Sequence, residues 1–207
     1  MRVLIACEYS GTVRDAFLRL GHDAVSCDLL PTDVDGPHIQ GDALEAIAAF
    51  QPDLLIAHPP CTYLCSSGLH WNKRVPGRAA KTDEALAFVQ ALMGSPVPRI
   101  CVENPIGRIG TAIRKADQVI QPWQHGHDAS KSTALWLKNL PLLEATGIVP
   151  GRLVGDRLRW ANQTDSGQNR LPPTPDRWKL RSTTYAGIAA AMAAQWGDEA
   201  IALKSAA

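Results

Sequence analysis

The chain has 207 residues, 45% of them hydrophobic and 20% charged, with a net charge of +1. That length is enough for a real core, and the balance excludes a disordered, charge-dominated chain. No apolar run approaches the roughly 18 residues of a membrane helix, so no membrane partner is expected. The charge is uneven: residues 129–186 hold nine Lys/Arg against four Asp/Glu, and Lys73, Arg74, Arg78 and Lys81 lie in a stretch without an acid. Local basic faces of this kind suit phosphates.

The elements follow in order. Residues 2–7 predict a buried strand, too short for a signal peptide and stopped by Glu8, so the expected location is the cytoplasm. Glu8-Tyr9-Ser10-Gly11 forms a turn, and 12–20 a helix with Val13, Ala16, Phe17 and Leu20 on one face. A short strand at 24–28 ends in Asp28, the layout of a nucleotide-binding first half, though Gly11 is the sole glycine of that fingerprint present. Residues 29–41 predict a loop. Asp42 opens a helix over 43–50, with Glu45 completing the pattern of a capping box.

The apolar run 53–57 predicts a strand that must stop at Pro59-Pro60, since prolines supply no ladder donors. Cys61 then emerges at the carboxyl end of a strand, where open α/β sheets place their chemistry. Residues 66–81, with Ser66 and Trp71, predict a long loop beside that site. Thr82 is expected to cap a helix over 83–93. A strand over 99–103 ends at Glu103-Asn104-Pro105, and further strands are expected at 117–123 and 133–138. Residues 150–181 read as an irregular basic loop, and Gly187–Trp196 as a last helix. Strands alternating with helices predict a doubly wound α/β fold with a mostly parallel sheet.

The five cysteines, Cys7, Cys27, Cys61, Cys65 and Cys101, are odd in number and show no paired pattern, which argues against a disulfide framework. Cys7, Cys27 and Cys101 read as buried small hydrophobes. His58, Cys61 and Cys65 could form half a zinc site with His125 and His127 as the other half, but the spacing is imperfect; no metal is expected.

Asp53 to Gly68, with Pro59-Pro60-Cys61 and Ser66, resembles the catalytic-loop motif of the DNA cytosine-C5 methyltransferases, and Glu103-Asn104 resembles that family's second catalytic motif. About forty residues separate the two. Trp123 to His127, Leu135 to Lys138 and Asp176 to Lys179 are similar to patterns of short phage and prophage members. The resemblance implies a Rossmann-like methyltransferase domain over 1–207, with S-adenosylmethionine as cofactor and DNA as partner. It implies Cys61 as the nucleophile that adds to C6 of cytosine. Glu103 would hold or share a proton at N3, for which a raised pKa would suit, with Asn104 beside it and Lys131 near the target base.

For the cofactor, the resemblance implies the turn Glu8, Tyr9, Ser10 and Gly11, then Asp28 for the ribose, Asp42 for the adenine amine, Pro59 at the boundary, and a helix start at Ser182 and Thr183. For nucleic acid it implies the 66–81 segment with Ser66, Trp71, Lys73, Arg74, Arg78 and Lys81. Two motifs depart from the pattern: Glu8 to Gly11 stands where Phe-x-Gly-x-Gly is usual, and the Gln-x-Arg-x-Arg motif is missing. Residues 139–181 leave no room for a large target-recognition domain, so a protein partner that confers specificity is one expectation. A non-catalytic DNA-binding protein, a free pyrimidine nucleotide as substrate, and transfer of a different group are the alternatives.

Overall fold

The computed structural model describes residues 1–197; the remainder of the expected 1–207 domain lies outside the described residues. A seven-stranded sheet runs through the molecule. Its strands are β1 (Arg2–Ala6), β2 (Asp23–Asp28), β3 (His38–Gln40), β4 (Leu54–Ala57), β5 (Arg99–Pro105), β6 (Gln118–Ile120) and β7 (Thr133–Lys138), in the order β3-β2-β1-β4-β5-β7-β6. β3, β2, β1, β4 and β5 are parallel, and β7 runs antiparallel to both β5 and β6. This is the expected doubly wound, Rossmann-like, mostly parallel α/β architecture.

Both faces of the sheet are covered, which is why its central strands read as unbroken apolar runs. Val3, Ile5, Leu54 and Ile56 point to a layer made by α1 (Thr12–Arg19) and α6 (Ala186–Trp196). Leu4, Ala6, Leu55 and Ala57 point the other way, toward α2 (Ala43–Phe50), α3 (Arg78–Met93) and the short α4 (Arg108–Ala112). Deep burial of these side chains stabilises the fold by about 1.5–3 kcal/mol for each large aliphatic residue.

Several elements differ from the sequence reading. β1 ends at Ala6, because Cys7 takes a left-handed φ of 58° and turns the chain out of the sheet. β3 falls in the predicted 29–41 loop; it is three residues long, and parallel pairing with β2, not its own pattern, makes it a strand. The 66–81 loop is ordered as a 3-10 segment, Ser66–Lys73, followed by the first turn of α3. Thr82 is therefore inside α3, not at its cap; it is buried, and its hydroxyl donates to the Tyr63 carbonyl.

The strand expected at 117–123 stops at Ile120, and Pro122–Gln124 forms a 3-10 turn closed by a Gln121–Gln124 capping box. The 150–181 region contains a hairpin, β8 (Arg152–Val154) and β9 (Arg157–Arg159), and a short helix, α5 (Arg177–Ser182). The Asn162 side-chain amide ties this region to the body, accepting from the Ser130 N–H and donating to the Ser130 carbonyl, and Trp123 stacks on Trp160 at 5.2 Å. No helix among the described residues is long and apolar enough to cross a membrane.

Candidate active site

The strand order reverses between β1 and β4: the chain runs outward through β2 and β3, then returns to start the other half at β4. A crevice opens at such a switch point, at the carboxyl ends of the two strands. Here it is lined by Cys7–Ser10 after β1, by His58–Cys61 after β4, by Glu103–Pro105 from β5, by Lys131, and by Arg181–Thr184.

Two unequal strand lengths create the space. β4 pairs with β5 only as far as Ala57 opposite Val102, because Pro59-Pro60 ends it. β5 continues to Pro105, since β7 still pairs with it through Thr133. Glu103 and Asn104 thus lie on a strand whose β4 side is open, facing the Pro-Pro-Cys turn. The Asn104 amide closes part of the gap by donating to the Pro59 carbonyl at 2.6 Å. Asn104 is 1% exposed, and its Oδ1 has no hydrogen-bond partner among the described residues. Downstream of Cys61 the backbone makes one helical turn, with Leu64 and Cys65 N–H groups both donating to the Cys61 carbonyl.

The Cys61 thiol is pushed above the ordinary thiol range by burial and by the negative character of Cys65 and Glu103; the Lys131 charge acts in the opposite direction. Glu103 departs from the raised pKa that would have suited it. Burial pushes its carboxyl up, but the hydrogen bond and charge of His58, the Lys131 charge and the Thr133 hydroxyl outweigh burial, and the net shift is downward. The His58 contact is specific: Nδ1 lies 3.1 Å from Glu103 Oε2. Lys131 is held in place by donating its ammonium to the Arg181 carbonyl at 2.8 Å, so α5 is fastened across one side of the crevice.

Of the residues expected at the cofactor, Tyr9, Ser10, Pro59, Ser182 and Thr183 line the crevice with Glu8. The Glu8 carboxylate is already engaged: it accepts from the backbone N–H groups of Val13 and Arg14 and so caps α1, a job its neighbour Gly11, at φ 70°, cannot do with a side chain. Ser182 and Thr183 close α5 instead of starting a helix; Ser182 meets the Tyr9 hydroxyl at 2.7 Å. Asp28 and Asp42 do not line the crevice, but both act on the Cys7 thiol beside it. Burial, then Asp28, Cys27 and Asp42, raise that thiol to about 12. Asp28 Oδ1 accepts from Leu30 N–H. Asp42 Oδ1 takes both cap bonds of α2, from Leu44 and Glu45 N–H.

These groups fit S-adenosylmethionine by the chemistry of the donor set. Tyr9 and Ser10 after β1 and Thr183 at the end of α5 supply neutral polar groups to the crevice. Outside its lining, Asp28 and Asp42 each keep a second oxygen free of protein hydrogen bonds among the described residues.

None of the expected nucleic-acid residues lines the crevice. Trp71 is 46% exposed, with Arg74 over its ring at 5.7 Å. Arg78 and Lys81 are turned toward Tyr63, two residues past Cys61, at 4.8 and 5.7 Å from its ring. Arg78 also donates to the Thr62 carbonyl. Two of the four basic residues thus brace the turn that bears Cys61. Ser66 N–H donates to the Ile106 carbonyl, joining the same turn to the end of β5.

No metal-ligating cluster of three exists among the described residues. His125 faces Thr146, and His127 Nε2 accepts the Gly187 N–H at 2.8 Å, holding the first turn of α6. His58, which the sequence suggests only as a metal ligand, lines the crevice and meets Glu103 instead.

No family model matches the chain, and no curated protein matches it. Among solved structures, the Entamoeba histolytica methyltransferase EhMeth is similar with a TM-score of 0.47 and 15% identity, covering 72% of this chain and 58% of that one. The Dnmt2 methyltransferase of S. pombe is similar with a TM-score of 0.46 and 15% identity, covering 66% and 48%. The chain thus spans between about half and three-fifths of the length of these two.

Proposed function

We propose that the chain is a cytosine-C5 methyltransferase that acts on DNA with S-adenosylmethionine. One observation carries the reading: Cys61, Glu103 and Lys131 line a single crevice at the sheet's switch point, with Asn104 fixing the turn that bears the thiol. A thiol alone is a weak argument. A thiol, a buried carboxyl and a cation around one space match what addition to C6 of a pyrimidine requires.

Each residue then has a task. Cys61 forms the bond to C6 as a thiolate, whose charge Lys131 favours. Glu103 lies where it can hold the proton at N3 as electron density moves there. Asn104 keeps Pro59 and Cys61 in register with β5. Tyr9, Ser10, Asp28, Asp42, Ser182 and Thr183 would hold the cofactor, and Arg181 to Thr184 exclude water from that side. The cofactor, when bound, supplies an electrophilic methyl group at the activated C5.

If the base comes from a duplex, it must leave the stack to reach the crevice. Trp71, Lys73 and Arg74 offer an aromatic face and phosphate contacts beside the entrance. The Arg152–Arg159 hairpin is a small element for reading a groove, which suits a low-specificity enzyme or one guided by a protein partner. Activity in the cytoplasm is part of the same reading.

The test is incubation of the protein with labelled cofactor and, in parallel, duplex DNA, single-stranded DNA, RNA and free cytidine nucleotides. Label at C5 of cytosine in DNA, lost in Cys61→Ala, is the expected result. Label on free nucleotides alone would replace the polymer substrate, and label on none of them would overturn the reading.

A further inference from the structure

Glu103 has a partner that the C5 reaction does not by itself require. His58 is the first residue after β4, and its ring is nearly buried, with a side chain 10% exposed against Glu103 at 15%. Nδ1 is 3.1 Å from Glu103 Oε2. Nε2 is buried with no hydrogen-bond partner among the described residues. A carboxylate only accepts, so Nδ1 carries a hydrogen. If the contact served structure alone, an asparagine amide would bridge the two strands without stranding a ring nitrogen, and buried polar atoms are seldom left unpaired. What an imidazole adds is a second proton site.

We propose that His58 is a positioning residue that stores the proton Glu103 passes to N3 of the target cytosine. This rests on the methyltransferase reading above. As the Cys61 Sγ–C6 bond forms, the C5=C6 pair moves to C4–C5 and the C4=N3 pair settles on N3. The proton of the His58–Glu103 pair leaves through the carboxyl to N3, so that a carboxylate and a neutral imidazole remain. When the thiolate is expelled and the ring pairs return, N3 gives the proton back. The charged and titratable groups that face Glu103 are His58 from the end of β4, Cys61 from the turn, Lys131 before β7, and Cys101 on its own strand. Beside His58, Lys131 and Thr133 the carboxyl is held toward its ionised form, so within the pair the carboxyl is the poorer store of a proton. In water an imidazole keeps its proton about two pH units higher than a carboxyl does.

The experiment is release of tritium from C5-tritiated cytosine in DNA, which needs no cofactor: once C6 is attacked and N3 protonated, a solvent proton adds at C5, tritium leaves from the same carbon, and the thiolate is expelled. Rates are followed from pH 5 to 9 for the wild type, His58→Asn and His58→Gln, with thermal unfolding confirming that at least one variant is folded. The alkaline limb of the profile is expected to move down by about one to two pH units in the variants, with activity regained at the acid end. A uniform loss at every pH, or an unmoved limb, would overturn the role of His58 while leaving the enzyme reading intact. No exchange by the wild type at any pH would overturn the enzyme reading itself, and this inference with it.

Discussion

The Asn104 amide donates to the Pro59 carbonyl at 2.6 Å, and this one bond couples the two halves of the site. Asn104 belongs to β5 and Pro59 to the turn after β4, where no ladder bond can form because the prolines ended that strand. The side chain supplies the donor that the backbone lacks. Asn104→Ala leaves a buried carbonyl unpaired, at a cost of about 1–3 kcal/mol. Urea unfolding measures that loss. Because the turn also carries Cys61, methyl transfer is expected to fall by more than the folded fraction does.

The state of Cys61 is set by opposing neighbours. Burial, Cys65 and Glu103 hold the thiol protonated, and Lys131 works against them. Lys131→Met removes the cation, so the pKa rises further and alkylation at pH 8 slows. Glu103→Gln removes a negative neighbour, so the pKa falls and alkylation quickens. Mass spectrometry of iodoacetamide-treated protein reads both, with Cys101, fully buried, as an unreactive internal reference.

Glu103 also links stability to pH. Its folded-state pKa lies below the ordinary value of 4.5, so its ionised form is favoured by folding. That contribution is complete above pH 4.5 and drains away as the pH falls below it toward the folded value. Glu103→Gln abolishes this dependence. The drop in melting temperature between pH 5 and pH 3 is expected to be smaller in the variant than in the wild type.

Asp42 caps α2 with one oxygen and keeps the other for the proposed cofactor. Asp42→Asn retains a good cap, so the stability of the free protein changes by only a few tenths of a kcal/mol. The rise in melting temperature that S-adenosylmethionine produces is expected to shrink. Asp42→Ala loses about 1 kcal/mol of stability before any cofactor is added. A full cofactor-induced rise in Asp42→Asn would assign Asp42 to capping alone.

The sheet was legible in the sequence because covering both faces forces continuous apolar runs: Val3 to Ala6 and Leu54 to Ala57 could hardly be other than buried strands. Pro59-Pro60 marked where β4 must stop, and with it the place of Cys61. β3 was not legible, since His38 to Gln40 has no strand pattern and owes its state to pairing with β2. The early start of α3 was hidden because Arg78 and Lys81 looked like free basic side chains, whereas they lean on Tyr63. The capping role of Glu8 was not legible, because its partners Val13 and Arg14 are joined to it only once Gly11 turns the chain. The His58–Glu103 contact joins residues 45 apart in sequence, and no local pattern predicts it.

The most direct measurement is trapping of the covalent intermediate. The protein is mixed with S-adenosylmethionine and DNA in which cytosine is replaced by 5-fluorocytosine, whose C5 substituent cannot leave as a proton. Peptide mass spectrometry is then used to locate the adduct. The account predicts a stable protein–DNA species with the pyrimidine and the transferred methyl group on Cys61, absent from Cys61→Ala and unaffected in Cys65→Ala. A methylated product with no adduct at Cys61, or an adduct at another residue, would contradict it.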